Sequence, residues 1–239
     1  MLLPNFSNLC IGEPLRARPS SIREEWLAAC GTRPILAKWK NMRGEHKRRL
    51  LHAAAERADD DEAEDGNYVS VYEEIDIDDI PSNRRSVEHV IPRSRVQGRE
   101  SAESDPIGWV EATRSANSRR SNYPLYLWKE PDGKFAIPNT LVRVDGTLHY
   151  VPPFNQRARL ARKWLCMRAT YTDEVDPPTP AQRARAAQIV ALAQHFPIQP
   201  AEQRVNDEYR RTIRWANPLL EANSERWYAD AAWRAMVFA

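Results

Sequence analysis

The high proline content is the sequence feature that most restricts the secondary structure of this chain. The 239 residues contain 18 prolines against 8 glycines. Because proline lacks a backbone N–H and fixes φ, it ends helices and is excluded from central strands. The sequence therefore predicts many rigid turns between short elements. The chain is nevertheless long enough for one large domain with a sizeable core.

The composition is that of an ordinary globular protein, with 42% hydrophobic and 28% charged residues. No apolar run approaches the roughly 18 residues that would span a bilayer. The first six residues lack the basic segment and apolar stretch of a secretory signal. We expect no membrane association. The localisation stays open between a cytoplasmic-type protein and one delivered by another route.

The three cysteines, Cys10, Cys30 and Cys166, are widely spaced and form no CxxC pair. An odd number at such spacing argues against a zinc site or a disulfide scaffold. We expect them to be reduced and mostly buried.

Helical signals are concentrated at the two ends of the chain. Residues 21–24, Ser-Ile-Arg-Glu, form a capping box that predicts a helix toward Cys30, ending at Gly31. A second helix is predicted from Pro34, and a further stretch around residues 50–54. In the last third, four helices are predicted: Arg157 to Tyr171, Thr179-Pro180 to His195, one ending at Ile213, and a final helix capped by Ser224.

The middle of the chain has β character. Alternating side chains predict strands at Tyr68–Tyr72 and Ser86–Ile91. Hairpins are predicted at Leu125–Pro138 and at Leu141–Val151, the second turning at Asp145-Gly146. Arg114–Arg120 is predicted as a short helix. One α+β domain over residues 1–239 is the simplest account, with a helical N-terminal part (about 20–57) and a helical C-terminal part (about 157–239).

The candidate chemistry lies at Glu88-His89, with Asn117 farther along the chain. A strand carrying Glu-His and a helix carrying Asn can surround one small cleft. Carboxylate and amide oxygens are hard ligands suited to Mg²⁺. A neutral imidazole can accept a proton from an attacking water. These groups match the needs of phosphodiester hydrolysis.

Two segments resemble the motifs of a known family. Glu-His-Val-Ile-Pro-Arg-Ser at residues 88–94 resembles Glu-His-Val-x-Pro-x-Ser of the endonuclease I family. Residues 116–124 resemble that family's Val-Asn-Ser-x-Arg-Gly-Asn-x-Pro. Asp105-Pro106 stands where the family has an Asp-x-His-Asn stretch, and weaker similarity runs from about Gly44 to about Leu219. The family comprises nonspecific nucleases of the HNH-like group.

The resemblance implies a fold and a set of roles. The fold is a ββα-metal (His-Me finger) core over about residues 68–125, with short β hairpins and several surrounding helices. His89 becomes the general base. Glu88 and Asn117 become ligands of one divalent cation, Mg²⁺ or alternatively Mn²⁺ or Ca²⁺, and Asn122 supports the motif.

Arginines complete the implied site. Arg120 occupies the family's arginine position, with two roles open: contacting phosphate in catalysis or stabilising the metal-binding helix. Residues 84–122 contain eight arginines and five acidic residues, a local excess of positive charge suited to a phosphate backbone. The additional phosphate-binding candidates are Arg93, Arg95, Arg99 and Arg119.

The resemblance implies an endonuclease that cuts DNA, with RNA as a second substrate, without strong sequence specificity. Ile107-Gly108 replaces the family's His-Asn, which motivates the alternative of a catalytically inactive nucleic-acid-binding or structural protein. A sequence-specific HNH nuclease is a third reading. The sequence also leaves open whether the protein binds a protein inhibitor or is part of a larger particle.

Overall fold

A computed structural model describes residues 21–31, 69–96, 100–129 and 136–239. This part of the chain mixes helices with two small antiparallel sheets of two strands each, which is an α+β arrangement. The helices predicted from Pro34 and around residues 50–54 lie outside the described residues, as do Cys10 and Arg99. In the described ranges, no helix combines the length and the apolarity that a membrane crossing requires.

The strands form two separate pairs. β1 (Arg85–His89) pairs with β2 (Trp109–Thr113), and β3 (Leu141–Val144) pairs with β4 (Thr147–Tyr150). In the first pair, Glu88 lies opposite Val110.

Helices make up most of the remaining described structure. They are α1 (Ile22–Cys30), α2 (Glu100–Ser104), α3 (Arg114–Arg120), α4 (Phe154–Thr170), α5 (Pro180–Ala184), α6 (Ala186–His195), α7 (Pro200–Ile213), α8 (Glu225–Ala229) and α9 (Ala231–Phe238). Short 3₁₀ turns cover Ser82–Arg84, Arg93–Arg95, Pro106–Gly108 and Pro218–Leu220.

The long helix α4 runs through the interior and carries several buried cations. Arg157 donates to the carbonyl oxygens of Pro152, Trp128 and Ala136. Arg162 Nη2 lies 2.6 Å from a carboxylate oxygen of Glu202 on α7, and both side chains are about 1% exposed. Because a buried charge without a partner is costly, these contacts restrict how the surrounding loops and helices can sit against α4.

Tryptophan packing joins the N-terminal helix to the C-terminal helices. The ring of Trp26 on α1 lies 5.0 Å from that of Trp227 and 5.4 Å from that of Trp233 between centroids. Trp26 also donates from Nε1 to the Thr170 hydroxyl at the end of α4. Burial of such large rings is a major contribution to the core. Residues far apart in sequence therefore share one hydrophobic cluster.

Local signals predicted much of this structure. The capping box at Ser21 is present, and α1 ends at Gly31 with φ of 112°. The strand around Glu88, helix α3, the hairpin at Asp145-Gly146 and the long helix α4 are confirmed. The predicted helix ending at Ile213 is also confirmed. The helix predicted from Thr179-Pro180 to His195 is present as two helices, α5 and α6, with a break at Arg185. Cys30 and Cys166 are buried and unbridged.

The predicted strand at Tyr68–Tyr72 is wrong over its described residues. Val69 forms an isolated bridge with Asp76, and the chain then turns. Val71 and Tyr72 are consecutive yet both fully buried, which an alternating strand with one solvent face does not allow. The backbone N–H of Val71 instead donates to the carbonyl oxygen of Glu111 on β2.

Two other predictions need correction. The described flanks of the predicted hairpin at Leu125–Pro138 form no ladder with each other. The first flank bonds to Tyr150, and Asn139 and Thr140, just beyond the second flank, bond to Val151; the predicted turn lies outside the described residues. The final helix is two helices, α8 and α9. Ser224 makes no side-chain cap, whereas Asp230 caps α9 by accepting from the N–H of Trp233.

Replacing Glu202 by alanine is expected to destabilise the fold strongly, because it leaves the Arg162 guanidinium buried without its carboxylate. We expect the free energy of unfolding to fall by about 3–5 kcal/mol in urea denaturation. The control is Asp173→Ala at the Arg23–Asp173 pair, whose side chains are 40% and 62% exposed. That control should cost less than about 1 kcal/mol. Equal losses would contradict the structural role of the buried pair.

Candidate functional site

The candidate site is built on two paired strands followed directly by a helix. β1 and β2 pair in antiparallel register, and α3 begins at the residue after β2. The hydroxyl of Thr113 accepts from the N–H of Ala116 and caps α3, as expected for a threonine at this position. α3 packs on both strands. The local order is therefore strand, strand, helix.

Strand alternation divides the predicted residues between two faces. Successive side chains of a strand point to opposite sides, so Ser86 and Glu88 share one face and His89 lies on the other. The side chains of Asn117 and Arg120 contact the Ser86–Glu88 side of β1, which is therefore the face that α3 covers. His89 lies opposite Trp109, and their ring centroids are 6.2 Å apart.

Glu88 is buried in a polar cluster. Its Oε1 lies 2.6 Å from Nη1 of Arg120 and accepts a hydrogen bond of 3.0 Å from the hydroxyl of Tyr72. Burial raises the pKa of Glu88, and Arg120, Tyr72 and the backbone N–H of His89 oppose that rise. The same burial, together with the neighbouring Glu88 carboxylate, raises the pKa of Tyr72 well above its usual value.

Arg120 joins α3 to the end of β1. Besides its contact with Glu88, the guanidinium of Arg120 donates hydrogen bonds to the carbonyl oxygens of Val90, at 2.8 Å, and Ser121, at 3.4 Å. Only about 1% of the side chain is exposed. From this position it does not reach solvent. These contacts join α3 to the end of β1, and the catalytic role that the resemblance also implies for Arg120 stays a prediction.

Asn117 also faces β1. Its side-chain Nδ2 donates 2.9 Å to the Ser86 hydroxyl and 3.3 Å to the carbonyl oxygen of Val87. With the amide nitrogen fixed by two acceptors, the amide oxygen Oδ1 is turned away from them. Oδ1 is thus the atom of Asn117 that could act as a ligand.

His89 is oriented by a backbone carbonyl. Its Nε2 lies 3.1 Å from the carbonyl oxygen of Glu103, which also accepts from Trp109 Nε1 at 3.1 Å. Because a carbonyl oxygen only accepts, Nε2 carries the proton in this contact. In the neutral imidazole, Nδ1 is then the basic nitrogen.

The predicted phosphate-binding arginines are spread over the unit. Arg93 is 68% exposed and lies 2.6 Å from the carboxylate of Glu103, while Arg119 is 54% exposed and lies 3.6 Å from that of Glu73. Arg95 donates to the backbone carbonyl of Asn122 and lies 3.8 Å from the carboxylate of Asp176. Arg99 is outside the described residues.

Asn122, predicted to support the motif, is an exposed residue in the turn that follows α3. Its described contact is made by the backbone, whose carbonyl oxygen accepts from Arg95. It therefore links Arg95 to the end of α3 through its main chain.

Ile107 and Gly108, the departures from the family pattern, support β1 through their backbones. The carbonyl oxygen of Gly108 accepts from the N–H of Val90, and that of Ile107 accepts from Nζ of Lys163. A Cβ built on Gly108 would meet the Met167 sulfur at 2.9 Å, so α4 packs close to the backbone there. Burial lowers the pKa of Lys163 to about 8.

Asp105 fixes the turn that contains these two residues. Its Oδ1 caps the N–H of Ile107, and its Oδ2 accepts from Tyr171 and Trp215. Burial raises the pKa of Asp105 against these hydrogen bonds and the nearby charge of Lys163.

Two contributors were not predicted from the sequence. Tyr72 holds the Glu88 carboxylate, and Glu103 orients His89 through its backbone carbonyl. A tyrosine far from the motif carries no local signal of this contact. Every residue has a backbone carbonyl oxygen, so the residue type at position 103 does not indicate that this oxygen contacts His89; the three-dimensional structure is needed to see it.

The described residues contain no cluster of three or more histidine, cysteine, aspartate or glutamate side chains around a common point. A cation at this site would take one carboxylate and one amide oxygen from the protein. Its remaining ligands would be water or phosphate oxygens, a pattern common for Mg²⁺.

Comparisons with known proteins give little guidance to the function. No family model matches the chain. The chain is 25% identical over 154 residues to a 1-deoxy-D-xylulose-5-phosphate synthase from Shewanella frigidimarina (strain NCIMB 400). The match covers 62% of this chain and 21% of that enzyme, so the chain spans about a fifth of the length of its curated relative. Neither comparison shows a family.

Replacing Arg120 by methionine is expected to destabilise the protein, because the Glu88 carboxylate loses its charged partner in the interior. Urea denaturation should give a loss of about 3–5 kcal/mol. Removing both charges, in the double variant Glu88→Gln with Arg120→Met, should recover part of that loss.

The neighbouring Arg119→Met is the matched control for this measurement. Its side chain is largely exposed, and its loss should be below about 1 kcal/mol. A double variant less stable than Arg120→Met alone would show that the ion pair does not govern the effect.

Proposed function

We propose that the protein is a divalent-metal-dependent endonuclease, and that its active centre is the strand–strand–helix unit in the manner of ββα-metal nucleases. The substrate is DNA, with RNA as a second candidate, and cutting does not depend strongly on sequence. The observation that carries this proposal is the set of contacts that orients Glu88 and Asn117 on one face of β1 and His89 on the other, all within one pair of strands and the helix that follows it.

His89 supplies the base in this proposal. Its Nε2–H is held by the Glu103 carbonyl, so Nδ1 is the nitrogen that accepts a proton from the attacking water. The edge contact with Trp109 restricts rotation of the imidazole. A base that is already oriented loses little entropy when the substrate binds.

Glu88 and Asn117 would hold the cation. Tyr72 and Arg120 both contact Oε1 of Glu88, which makes Oε2 the candidate ligand atom, and Asn117 would contribute Oδ1. These oxygen donors fit Mg²⁺, Mn²⁺ or Ca²⁺. The cation, when bound, would stabilise the negative charge that develops on the phosphate and the leaving oxygen.

The exposed arginines provide the substrate contacts. Arg93 lies four residues beyond His89, and Arg119 lies on α3 beside Arg120. Guanidinium groups bind phosphate oxygens through paired hydrogen bonds. Contacts of this kind follow the backbone and do not read bases, which agrees with cutting without strong sequence preference.

Purified protein should nick supercoiled plasmid in the presence of Mg²⁺ and lose that activity in EDTA. His89→Ala should reduce the rate at least about 100-fold, because it removes the general base. Asn117→Ala should reduce it as well, and more Mg²⁺ should partly restore the rate if the loss is in cation affinity.

Asn223→Ala, at an exposed position near α8, is the matched control and should cut at the wild-type rate. Circular dichroism and urea denaturation of each variant separate loss of chemistry from loss of folding. Full activity in a folded His89→Ala variant would contradict the proposal.

One observation favours a second function, a nucleic-acid-binding protein that does not cut. Glu88 already has a cation beside it, the Arg120 guanidinium at 2.6 Å, and only about 3% of the Glu88 side chain is exposed. Salt-dependent binding to duplex DNA with no nicking under Mg²⁺, Mn²⁺ or Ca²⁺ would select this reading. Discrete cleavage bands instead of a smear would point to a sequence-specific nuclease.

A further inference from the structure

The turn at residues 105–108 lies between two residues that contact His89. Glu103 precedes the turn, and its carbonyl oxygen lies 3.1 Å from Nε2 of the imidazole. Trp109 follows the turn, and its ring centroid lies 6.2 Å from that of His89. Trp109 Nε1 also donates to the Glu103 carbonyl oxygen. The position of this turn therefore determines where both neighbours of the imidazole lie.

The carboxylate of Asp105 anchors the turn in the interior of the protein. Only 1% of Asp105 is exposed. Its Oδ1 accepts from the N–H of Ile107 at 2.8 Å, and its Oδ2 accepts from the hydroxyl of Tyr171 at 2.7 Å and from Nε1 of Trp215 at 2.9 Å. Because a buried carboxylate without donors is costly, these three hydrogen bonds favour one position of the turn.

The two distant donors belong to other parts of the fold. Tyr171 directly follows α4, and Trp215 lies two residues after the end of α7. Both rings are buried in the hydrophobic core. They are thus fixed points for the Asp105 carboxylate, and the Glu103 carbonyl oxygen, two residues earlier in the chain, takes its position from them.

The side chain of Glu103 provides a weaker anchor for the same carbonyl oxygen. Its carboxylate pairs with Arg93 at 2.6 Å, and the side chains of Glu103 and Arg93 are 29% and 68% exposed. Ion pairs that are this open to water contribute little to stability. The buried contacts of Asp105 are therefore the stronger restraint on Glu103.

The other end of the turn is held by separate contacts. Lys163 Nζ donates to the carbonyl oxygen of Ile107, and the N–H of Val90 donates to that of Gly108. These contacts do not involve the Asp105 side chain. A change at Asp105 should therefore act first on the end of the turn that carries Glu103.

We propose that Asp105 is a positioning residue for His89, because its carboxylate holds the Glu103 carbonyl oxygen where that oxygen accepts from Nε2–H. The inference rests on the proposed function only in giving His89 the role of general base. A neutral imidazole carries its proton on either nitrogen, and an acceptor at Nε2 leaves Nδ1 as the basic atom. The net contribution of one hydrogen bond corresponds to roughly a two- to tenfold preference between these two tautomers.

The test is nitrogen-15 NMR of the imidazole of His89 in the metal-free, full-length protein, at a pH where the ring is neutral. The chain has five histidines, and the spectrum of His89→Gln identifies the signals of His89. The wild-type ring should carry its proton on Nε2.

Asp105→Asn keeps the size of the side chain but presents only one accepting oxygen. Either the N–H of Ile107 or that of Trp215 then loses its acceptor, and the restraint on Glu103 weakens. The preference of His89 for the Nε2–H tautomer should fall by roughly two- to tenfold.

Tyr171→Phe is a second variant, which removes a single hydrogen bond to Asp105 with little change in volume. It should shift the His89 signals in the same direction by a smaller amount. Tyr228→Phe is the matched control, since Tyr228 is also buried and its hydroxyl donates 3.5 Å to the carbonyl oxygen of Ala193. It should leave the His89 signals as they are in the wild type.

Plasmid cutting in Mg²⁺ gives a second readout. A poorly oriented base should lower kcat of Asp105→Asn by at least about tenfold. KM for the plasmid should stay within about twofold of the wild-type value, because Asp105 is buried away from the phosphate contacts.

Wild-type His89 signals in folded Asp105→Asn and Tyr171→Phe would overturn the proposal. An equal change in Tyr228→Phe would overturn it too, because the effect would then follow from lost stability. A wild-type protein that does not cut plasmid would contradict the proposed function alone, since the NMR comparison decides the positioning role without any nuclease activity.

Discussion

The buried contact between Glu88 and Arg120 is the constraint on which the candidate site depends. The guanidinium of Arg120 spans from the Glu88 carboxylate to the carbonyl oxygen of Val90, so α3 is fixed against the end of β1. A buried ion pair need not add net stability, but burying either charge without the other is costly. The position of α3 in which Arg120 meets Glu88 is therefore favoured over other positions against β1. Asn117 lies three residues before Arg120 on the same helix face and is therefore directed toward β1 as well.

The elements that the sequence predicted well have local causes. α1 begins at Ser21 because of its capping box and ends at Gly31, and both signals are visible in a few consecutive residues. The failures have nonlocal causes. Residues 68–72 have the alternating pattern of a strand, but Val71 contacts Glu111 and Tyr72 contacts Glu88, so both side chains are buried where the chain turns.

In the candidate site, too, the sequence predicted the features with local signals and missed those that depend on contacts between distant residues. The motif identified Glu88, His89 and Asn117. The structure places Glu88 and Asn117 on the face of β1 that α3 covers, and His89 on the opposite face of the same strand. The motif did not indicate that Glu88 and Arg120 pair in the interior, because one residue type in a motif does not reveal its burial. Nor did it indicate the contribution of Glu103, whose role uses only its carbonyl oxygen.

Anomalous scattering from crystals grown with Mn²⁺ tests the central claim most directly. The account predicts one strong peak within coordination distance of Glu88 Oε2 and Asn117 Oδ1, with His89 Nδ1 facing a water beside it. It also predicts that Arg120 remains in contact with Oε1 of Glu88. An empty position between Glu88 and Asn117, at Mn²⁺ concentrations that support plasmid cutting, would contradict this assignment of the active centre.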